Sequence, residues 1–233
     1  MSLIIKNLYK SFQDINLFQD FNIEIQEHTI ACILGPSGCG KTSLLNMISG
    51  SLQPDSGDLL GFNSKTISYI FQEPRLLPWK TVLENIVYVL PDSISKKEKH
   101  EIALRYSELV ELTDFNNYYP SKLSGGMKQR VSIARAFSYP SDLILMDEPL
   151  KALDLKLKLN LMKSFRRLWQ PDKRSVIFVT HDIDEALLIG NDIYVFSKAP
   201  VLIKEKFSIK NKDRLLPSPE IIQLKNRIVD VME

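Results

Sequence analysis

Two glycine-rich segments carry the residues whose types and spacing point most directly to chemistry. The first reads Gly-Pro-Ser-Gly-Cys-Gly-Lys-Thr and matches the phosphate-loop pattern G-x-x-x-x-G-K-[ST]. Glycines let backbone N–H groups approach phosphate oxygens, and the N-terminus of the next helix adds partial positive charge. The lysine is expected to reach the β- and γ-phosphates, and the threonine to hold Mg²⁺. The predicted nucleotide-binding residues here are Gly35, Pro36, Ser37, Gly38, Cys39, Gly40, Lys41, Thr42 and Ser43.

The second segment is Leu123-Ser124-Gly125-Gly126-Met127. Ser124 is a good helix cap, so the two glycines should open a helix that ends near Phe137 and offers a second anion site. A second anion site is superfluous if one chain handles one nucleotide alone. The economical interpretation is that Ser124, Gly125 and Gly126 bind the γ-phosphate of a nucleotide held by another chain.

Acidic residues follow a run of apolar residues, Leu143 to Met146, that is typical of a strand buried on both faces. Asp147 ends this strand, where α/β sheets place ligands, and is expected to hold Mg²⁺. Glu148 follows at once and is positioned to polarise a water for attack on the γ-phosphate. By themselves two strand-end acids are equally consistent with a solvated loop; the upstream phosphate loop favours the catalytic interpretation.

Two further polar residues gain weight from their positions after predicted strands. His181 follows the strand Ser175 to Val179, where an imidazole can contact the γ-phosphate. Gln72 follows the strand Ile67 to Phe71 and is expected to bind Mg²⁺ or water. Alone, each is a weak signal. His28 and His100 have no such position and are read as a turn residue and an exposed helix residue.

These segments together resemble the nucleotide-binding subunit of ATP-binding cassette (ABC) transporters, from Phe12 to about Glu220. Residues 123–130 look like the family signature, and Asp147-Glu148-Pro149 resembles its Walker B motif with the catalytic glutamate. By the same resemblance Ala152-Leu153-Asp154 is the D-loop, with Asp154 at the nucleotide, Gln72 is the Q-loop glutamine and His181 the switch histidine. Phe12 stands where the family stacks an aromatic ring on adenine, and Tyr9 competes for that role.

A narrower resemblance is to the nitrate, sulfonate and taurine importers, carried by the segment Leu76 to Ile86 and the tail Leu216 to Glu220. There are departures from that subfamily. Leu150 and Lys151 replace a usual Phe-Gly pair, which removes a glycine's access to positive φ and adds a charge near the expected subunit seam. His28 stands where a glycine is common and needs an accommodating backbone. The segment Ala199 to Lys212 lacks the usual Pro-Gly-Arg turn.

The resemblance implies a Mg-dependent ATPase that uses ATP and Mg²⁺ and forms a homodimer, or a pair of cassettes, when ATP binds. It implies transmembrane permease subunits as partners, with the exposed stretch Pro74 to Thr81 and Trp79 as the docking site, and an extracytoplasmic substrate-binding protein as an indirect partner. The alternative for Trp79 is packing inside the helical part. An exporter and a non-transport ABC ATPase are the alternative functions; a solitary P-loop kinase is disfavoured by the signature.

Composition and charge limit the class of protein and the compartment that fit this chain. The chain has 233 residues, is 44% hydrophobic and has a net charge of +2, which is too mild to imply nucleic-acid binding. No apolar run approaches the ~20 residues that span a bilayer. Cys32 and Cys39 fall in a strand and in the phosphate loop, which favours a reducing compartment. We therefore expect a soluble chain in the cytoplasm, and the resemblance to ABC transporter subunits implies that it is a peripheral protein at the cytoplasmic face of the membrane.

The predicted fold is α/β: a P-loop NTPase core with an N-terminal antiparallel β subdomain and an inserted α-helical subdomain. Phe21, Ile23 and Ile25 alternate with polar residues and predict an antiparallel strand. Thr81 and Ser95 each begin a capping-box pattern, so helices should follow both. The predicted organisation is one domain over 1–233, in which 1–72 and 138–200 form the β subdomain and core, 73–137 the helical subdomain and 201–233 a C-terminal extension.

Overall fold

The structure is a computed structural model that describes residues 2–151, 153–209 and 219–232. The chain forms two compact units: residues 1–67 with 174–233, and residues 68–173. Both are mixtures of strands and helices, as the predicted α/β class requires. Within the described ranges, no helix is long and apolar enough to cross a membrane. The tail segment Leu216 to Ser218, residue Ala152 and the end of the basic stretch at Lys212 lie outside the described residues.

Strands and helices have the following bounds. The strands are β1 (Ser2–Phe12), β2 (Ile15–Gln26), β3 (Ile30–Leu34), β4 (Ser56–Leu60), β5 (Ile67–Ile70), β6 (Leu143–Asp147), β7 (Ser175–Thr180), β8 (Asp192–Phe196) and β9 (Ile203–Ser208). The α-helices are α1 (Lys41–Ile48), α2 (Val82–Val87), α3 (Lys96–Leu109), α4 (Gly125–Ser138), α5 (Leu155–Asp172), α6 (Ile183–Ile189) and α7 (Pro219–Met232). Short 3₁₀ turns lie at Thr113–Phe115 and Pro120–Lys122.

In the first unit, an antiparallel sheet in the order β2-β1-β4 comes from the start of the chain. Phe21, Ile23 and Ile25 are all buried along β2 and the residues that alternate with them are exposed, which confirms the predicted one-sided strand. A tight hairpin joins β1 to β2, with Phe12 opposite Ile15 beside the turn. The aromatic residue predicted to stack on adenine therefore stands at the tip of a hairpin.

The same unit holds the strands β7, β3, β8 and β9, which neighbour one another in that order. β3 runs parallel to β7 and β8, and β9 closes this side antiparallel to β8. β3, β7 and β8 are buried at every position, as continuous apolar strands of a covered parallel sheet should be. Because parallel strands share one carboxyl edge, the loops after β3 and β7 leave from the same edge.

α7 closes the first unit with an apolar face that differs from the prediction. The spacing of apolar residues near the end of the chain predicts a packing stripe of Ile222, Leu224, Ile228 and Val231. Ile228 is buried and Leu224 and Val231 are half-buried, but Ile222 is exposed. Ile221 takes its place on the packing face, because the spacing 221, 224, 228 keeps to one side of a helix better than a start at 222.

In the second unit, β5 and β6 are neighbouring strands and the chain between 73 and 137 is helical, without a strand. Thr81 and Glu84 exchange both bonds of a capping box at the start of α2. Ser95 makes only the first of these bonds, accepting from the Glu98 N–H at the start of α3. The second predicted capping box is thus half right.

Candidate functional site

The phosphate loop lies between β3 and α1 in the first unit, which confirms its predicted strand–loop–helix context. α1 begins after Gly40, whose φ of 94° is readily adopted by glycine. No side chain caps α1 and no acidic residue occupies its first turn. Ser37, Gly38 and Thr42 are exposed. The first N–H groups of α1 therefore form a terminus that favours an anion, and no residue of its own first turn is acidic.

Lys41 is the first residue of α1, and its side chain is held by its own loop. The buried Nζ donates to the carbonyl oxygens of Gly35 and Pro36, at 2.8 and 2.9 Å. An ammonium kept close to the loop by two carbonyl oxygens is ready to exchange one of them for a phosphate oxygen, a charged and stronger acceptor.

Cys39 lies inside the same loop with only 2% of its surface exposed. Burial raises the pKa of its thiol above the ordinary value, and the nearby Lys41 ammonium, whose Nζ lies 3.9 Å from Sγ, offsets part of that rise. A buried thiol with a raised pKa is a poor nucleophile at neutral pH.

The two aromatic candidates for stacking on adenine both lie on β1. Phe12 is 43% exposed and Tyr9 is 40% exposed, so exposure does not separate them. The Lys10 ammonium lies 5.4 Å from the Phe12 ring centre and also bonds to Asp55 at 2.6 Å. The other oxygen of Asp55 accepts from the Ser11 N–H at 2.7 Å, so one carboxylate braces the hairpin tip that carries Phe12.

His181 follows β7 and is exposed, and the residues on either side of it are tightly bound. The Thr180 hydroxyl donates to Glu185 Oε2 at 2.6 Å and accepts from the Asp182 N–H at 3.0 Å. Thr180 and Glu185 are buried. Asp182 in turn caps α6 by accepting from the N–H groups of Asp184 and Glu185. The imidazole is thus presented to solvent on a backbone fixed from both sides.

The second unit carries the acidic pair. Asp147 ends β6, as predicted, and Glu148 follows it, and both residues are buried. Glu148 has a φ of 42°, an uncommon value for a residue other than glycine, and such strain concentrates at functional sites. The chain then turns, with the Lys151 N–H donating to the Glu148 carbonyl at 3.2 Å. Lys151 Nζ lies 2.8 Å from Glu148 Oε2.

Gln72 is exposed in the loop after β5. Hydrogen bonds from Arg135 hold the following part of that loop. Arg135, on α4, donates to the carbonyl oxygens of Pro74 and Arg75 at 3.1 and 3.0 Å. Burial lowers the pKa of the Arg135 guanidinium from its ordinary value, and it keeps its charge because that value is so high. One arginine thus links the helix of the signature segment to the loop of Gln72.

Tyr69 lies on β5, three residues before Gln72. Burial, and then the negative charge of Asp147, raise the pKa of its hydroxyl. Its ring stacks on Phe71 with 4.2 Å between centres. Asp147 acts on Tyr69 because β5 and β6 are neighbouring strands within this unit.

The signature segment opens α4 as predicted. Ser124 accepts from the Met127 N–H at 3.3 Å, and Gly125 is exposed with open space where a Cβ would lie. A Cβ on Gly126 would lie 2.0 Å from Leu157 Cδ2, so α4 and α5 approach closely at this point. α5 begins after Asp154, whose side chain accepts from the Leu157 N–H at 2.9 Å. In this structure Asp154 therefore acts as a helix cap.

The segment Pro74 to Thr81 presents Trp79 with 69% of its surface exposed, so the alternative that Trp79 packs inside the helical part is wrong. The Asn85 side chain fixes this segment with four hydrogen bonds. It is fully buried, accepts from the Leu77 N–H at 2.8 Å and donates to the carbonyl oxygens of Leu77, Lys80 and Thr81. An exposed tryptophan on a rigid loop is a good anchor for a protein partner.

The predicted site residues divide between the units. The first unit holds the phosphate loop, Phe12 and His181; the second holds Gln72, Asp147, Glu148, Asp154 and the signature glycines. Sequence reasoning missed the residues that fix these groups in place: Asn85, Arg135, Glu185 and Asp55. Only Glu185 had a local signal, as an acid in the first turn of a helix beginning at Asp182; the others bond to groups distant in sequence or in loops.

Comparisons with known proteins agree with this assembly of motifs. A family model described as ABC transporter matches residues 18–151, more than half of the chain. The chain belongs to the ABC transporter family. The cassette is 36% identical to the bicarbonate transport ATP-binding protein CmpD of Synechocystis, over 93% of this chain and 82% of that protein. It is 34% identical to the nitrate import ATP-binding protein NrtD of Synechococcus elongatus, over 92% and 84%.

Solved structures place the cassette in the same fold. A dimeric bacterial ABC transporter cassette superposes with a TM-score of 0.78 at 29% identity, covering 91% of this chain and all of the other. The same cassette, in a post-hydrolysis state bound to ADP and Pi, gives a TM-score of 0.74. The predicted P-loop NTPase core and ATP-hydrolysing activity of the family are thereby confirmed for this cassette.

Two departures from the importer resemblance have clear local consequences. His28 adopts a φ of 61°, as the replacement of a glycine required, and its N–H donates to Ser175 Oγ at 3.0 Å. Lys151 differs from His28 in its backbone. Among the described residues, Glu148 has a positive φ but Lys151, three residues later, does not. The change at Lys151 therefore adds a charge without backbone strain at that residue.

Proposed function

We propose that two copies of this cassette bind two ATP molecules between them and hydrolyse them to power a membrane importer. One chain contains two helix N-termini with glycines beside them, that of α1 after the phosphate loop and that of α4 after Ser124. This observation carries the proposal. Each lacks an acidic residue in its first turn, so each favours an anion. One anion site serves the chain's own nucleotide and the other serves its partner's.

Each predicted residue has a role in this proposal. Lys41 and the loop around it hold the phosphates, Phe12 stacks on adenine, and Ser124, Gly125 and Gly126 hold the γ-phosphate of the other copy's ATP. Asp154 contributes from its loop at the nucleotide. Glu148 takes a proton from the attacking water while the water oxygen bonds to the γ-phosphorus and ADP leaves. His181 orients the γ-phosphate or the water.

Thr42, Gln72 and Asp147 are the proposed protein ligands of Mg²⁺. The described residues contain no cluster of three or more His, Cys, Asp or Glu that could hold a metal ion by itself. This fits Mg²⁺, which is commonly bound through one or two carboxylates plus substrate phosphates and water rather than by an all-protein cage. When bound, Mg²⁺ neutralises phosphate charge in the transition state.

The transported solute is proposed to be a small anion or organic solute of the nitrate, bicarbonate or sulfonate type. The proposal is supported by the similarity of this chain to the bicarbonate transport protein CmpD and the nitrate import protein NrtD, at 36% and 34% identity. The exposed Trp79 loop, held by Asn85, is the surface proposed to receive a helix of the permease from the cytoplasmic side. An extracytoplasmic binding protein would deliver the solute to that permease.

The first experiment separates ATP binding from hydrolysis. The Glu148→Gln variant keeps the size of the side chain and removes the base, so turnover should fall by about a hundredfold or more. Its ATP affinity should stay within a few fold, and it should accumulate as a dimer with ATP in size-exclusion chromatography. Normal turnover in this variant would remove Glu148 as the base, and a monomer at saturating ATP would count against the shared-site proposal.

The second experiment addresses the partner. The tagged cassette is purified from membranes of its own host, and co-purifying proteins are identified by mass spectrometry, with a Trp79→Ala variant as the matched control. A polytopic permease recovered with the wild type and lost with the variant supports the importer. Transport of nitrate, bicarbonate and taurine is then measured in proteoliposomes holding that permease. Recovery of only ribosomal or DNA-bound proteins would favour a non-transport ATPase.

A further inference from the structure

The turn from Glu148 to Lys151 brings a cation onto the proposed catalytic base. The backbone closes the turn with the bond from the Lys151 N–H to the Glu148 carbonyl, and the side chains meet above it with Nζ 2.8 Å from Oε2. The Lys151 side chain is 43% exposed and that of Glu148 is 10% exposed. A flexible, solvated lysine therefore reaches inward to a nearly buried carboxylate.

The contact occupies one of the two oxygens that a base can use. Oε2 is shielded from solvent, and its contact with Lys151 is an ion pair rather than an aligned hydrogen bond. A general base must accept a hydrogen bond from the attacking water, at about 2.6–3.2 Å. While Nζ is in contact with Oε2, that oxygen is taken and the rotation of the carboxylate is restrained.

We propose that Lys151 is a positioning residue that holds Glu148 in a resting orientation, so that the ion pair must open before Glu148 can accept a proton at Oε2. The inference rests on the proposed role of Glu148 as the base. It concerns a residue that replaces a glycine in the importer resemblance, and it gives this cassette a slower resting turnover than the same cassette with a neutral residue at 151.

The expected size of the effect on kcat follows from the solvent exposure of the ion pair. Ion pairs with one largely solvated partner stabilise by at most about 1 kcal/mol, because water and salt screen them. Opening such a pair costs about the same, which corresponds to a two- to fivefold effect on rate. A structural ion pair without a catalytic role would change the melting temperature and leave the turnover number alone.

The test compares steady-state ATP hydrolysis by the wild type with Lys151→Met, Lys151→Gly and Lys151→Arg. The Met and Gly variants should raise kcat about two- to fivefold with the KM for ATP unchanged, whereas Arg, which keeps the charge, should stay with the wild type. Lys156→Met is the matched control: it removes the same charge from an exposed position in the first turn of α5. It should leave kcat unchanged.

Two outcomes overturn the inference: Met and Gly variants with kcat equal to or below the wild type, or an equal rise in the Lys156→Met control. The Glu148→Gln variant keeps this failure distinct from failure of the proposed function. If Glu148→Gln abolishes hydrolysis while Lys151→Met changes nothing, only the restraint by Lys151 is wrong. If Glu148→Gln hydrolyses ATP normally, the base assignment is wrong. The double variant should be as inactive as Glu148→Gln alone.

Discussion

Replacing Thr180 by valine tests whether a buried hydroxyl fixes the backbone on both sides of His181. Valine keeps the shape of threonine and removes its oxygen, so it leaves little cavity. The change deletes the donor to Glu185 Oε2, at 2.6 Å, and the acceptor for the Asp182 N–H, at 3.0 Å. The first distance is in the range of a hydroxyl bonded to a carboxylate, the stronger kind of hydrogen bond.

These two losses set the expected size of the effect. A hydrogen bond to a charged group contributes about 1.5–3 kcal/mol and a neutral one about 0.5–1.5 kcal/mol. We take about 3 kcal/mol for the pair, because Thr180 and Glu185 are buried and water cannot replace the lost partner. In a chain of this size that lowers the melting temperature by about 6–12 °C. The kcat should also fall, because the backbone that carries His181 loosens.

Thr180→Ser is the control, since serine keeps the hydroxyl and loses one methyl group, at a cost of about 1 kcal/mol. Thermal unfolding and ATP hydrolysis are measured for both variants at the same protein concentration. The valine variant should melt below the serine variant by the equivalent of about 2 kcal/mol. If valine melts at or above serine, and both hydrolyse ATP equally, then the hydroxyl does not hold the loop and the role given to Glu185 is wrong.

Three further predictions follow from single contacts. His28→Gly should raise the melting temperature by about 1–4 °C, because relief of a left-handed φ outweighs the added chain entropy of glycine; calorimetry checks it, and no rise refutes it. Arg135→Lys should lower kcat several-fold, since lysine cannot bond both the Pro74 and Arg75 carbonyls; an unchanged rate refutes the link. Cys39 should resist iodoacetamide at pH 7–8, where a raised pKa leaves little thiolate, and react on unfolding; fast native labelling measured by mass spectrometry contradicts this.

Residues with a local physical signature could be predicted from the sequence. The strand before the phosphate loop, the capped helix after Ser124 and the strand that ends at Asp147 all have the predicted position. In each case the periodicity or the cap is decided by neighbours a few residues away. The same reason explains the half-formed capping box at Ser95, because its second bond depends on an exposed side chain for which water competes.

Contacts between distant segments could not be predicted. Asn85 in α2 looks like an ordinary helix residue, and nothing nearby shows that it bonds three carbonyl oxygens of the preceding loop. Arg135 belongs to a signature helix, yet its partners are Pro74 and Arg75, sixty residues or so earlier. Trp79 was ambiguous, because its burial depends on how the whole helical part packs.

Two of the departures from the importer pattern, at His28 and Lys151, illustrate how a cassette can change without losing its fold. Both fall in turns, where a single residue touches few neighbours and the cost of substitution is small. At His28 the new residue takes up the left-handed backbone of the glycine it replaces, and a bond to Ser175 stabilises the turn, so its effect is on stability. At Lys151 the backbone is relaxed and the new charge contacts Glu148, so its effect is on the chemistry. A change in kcat for variants of Lys151, and a change in stability without a change in kcat for variants of His28, is therefore the pattern that this structure requires.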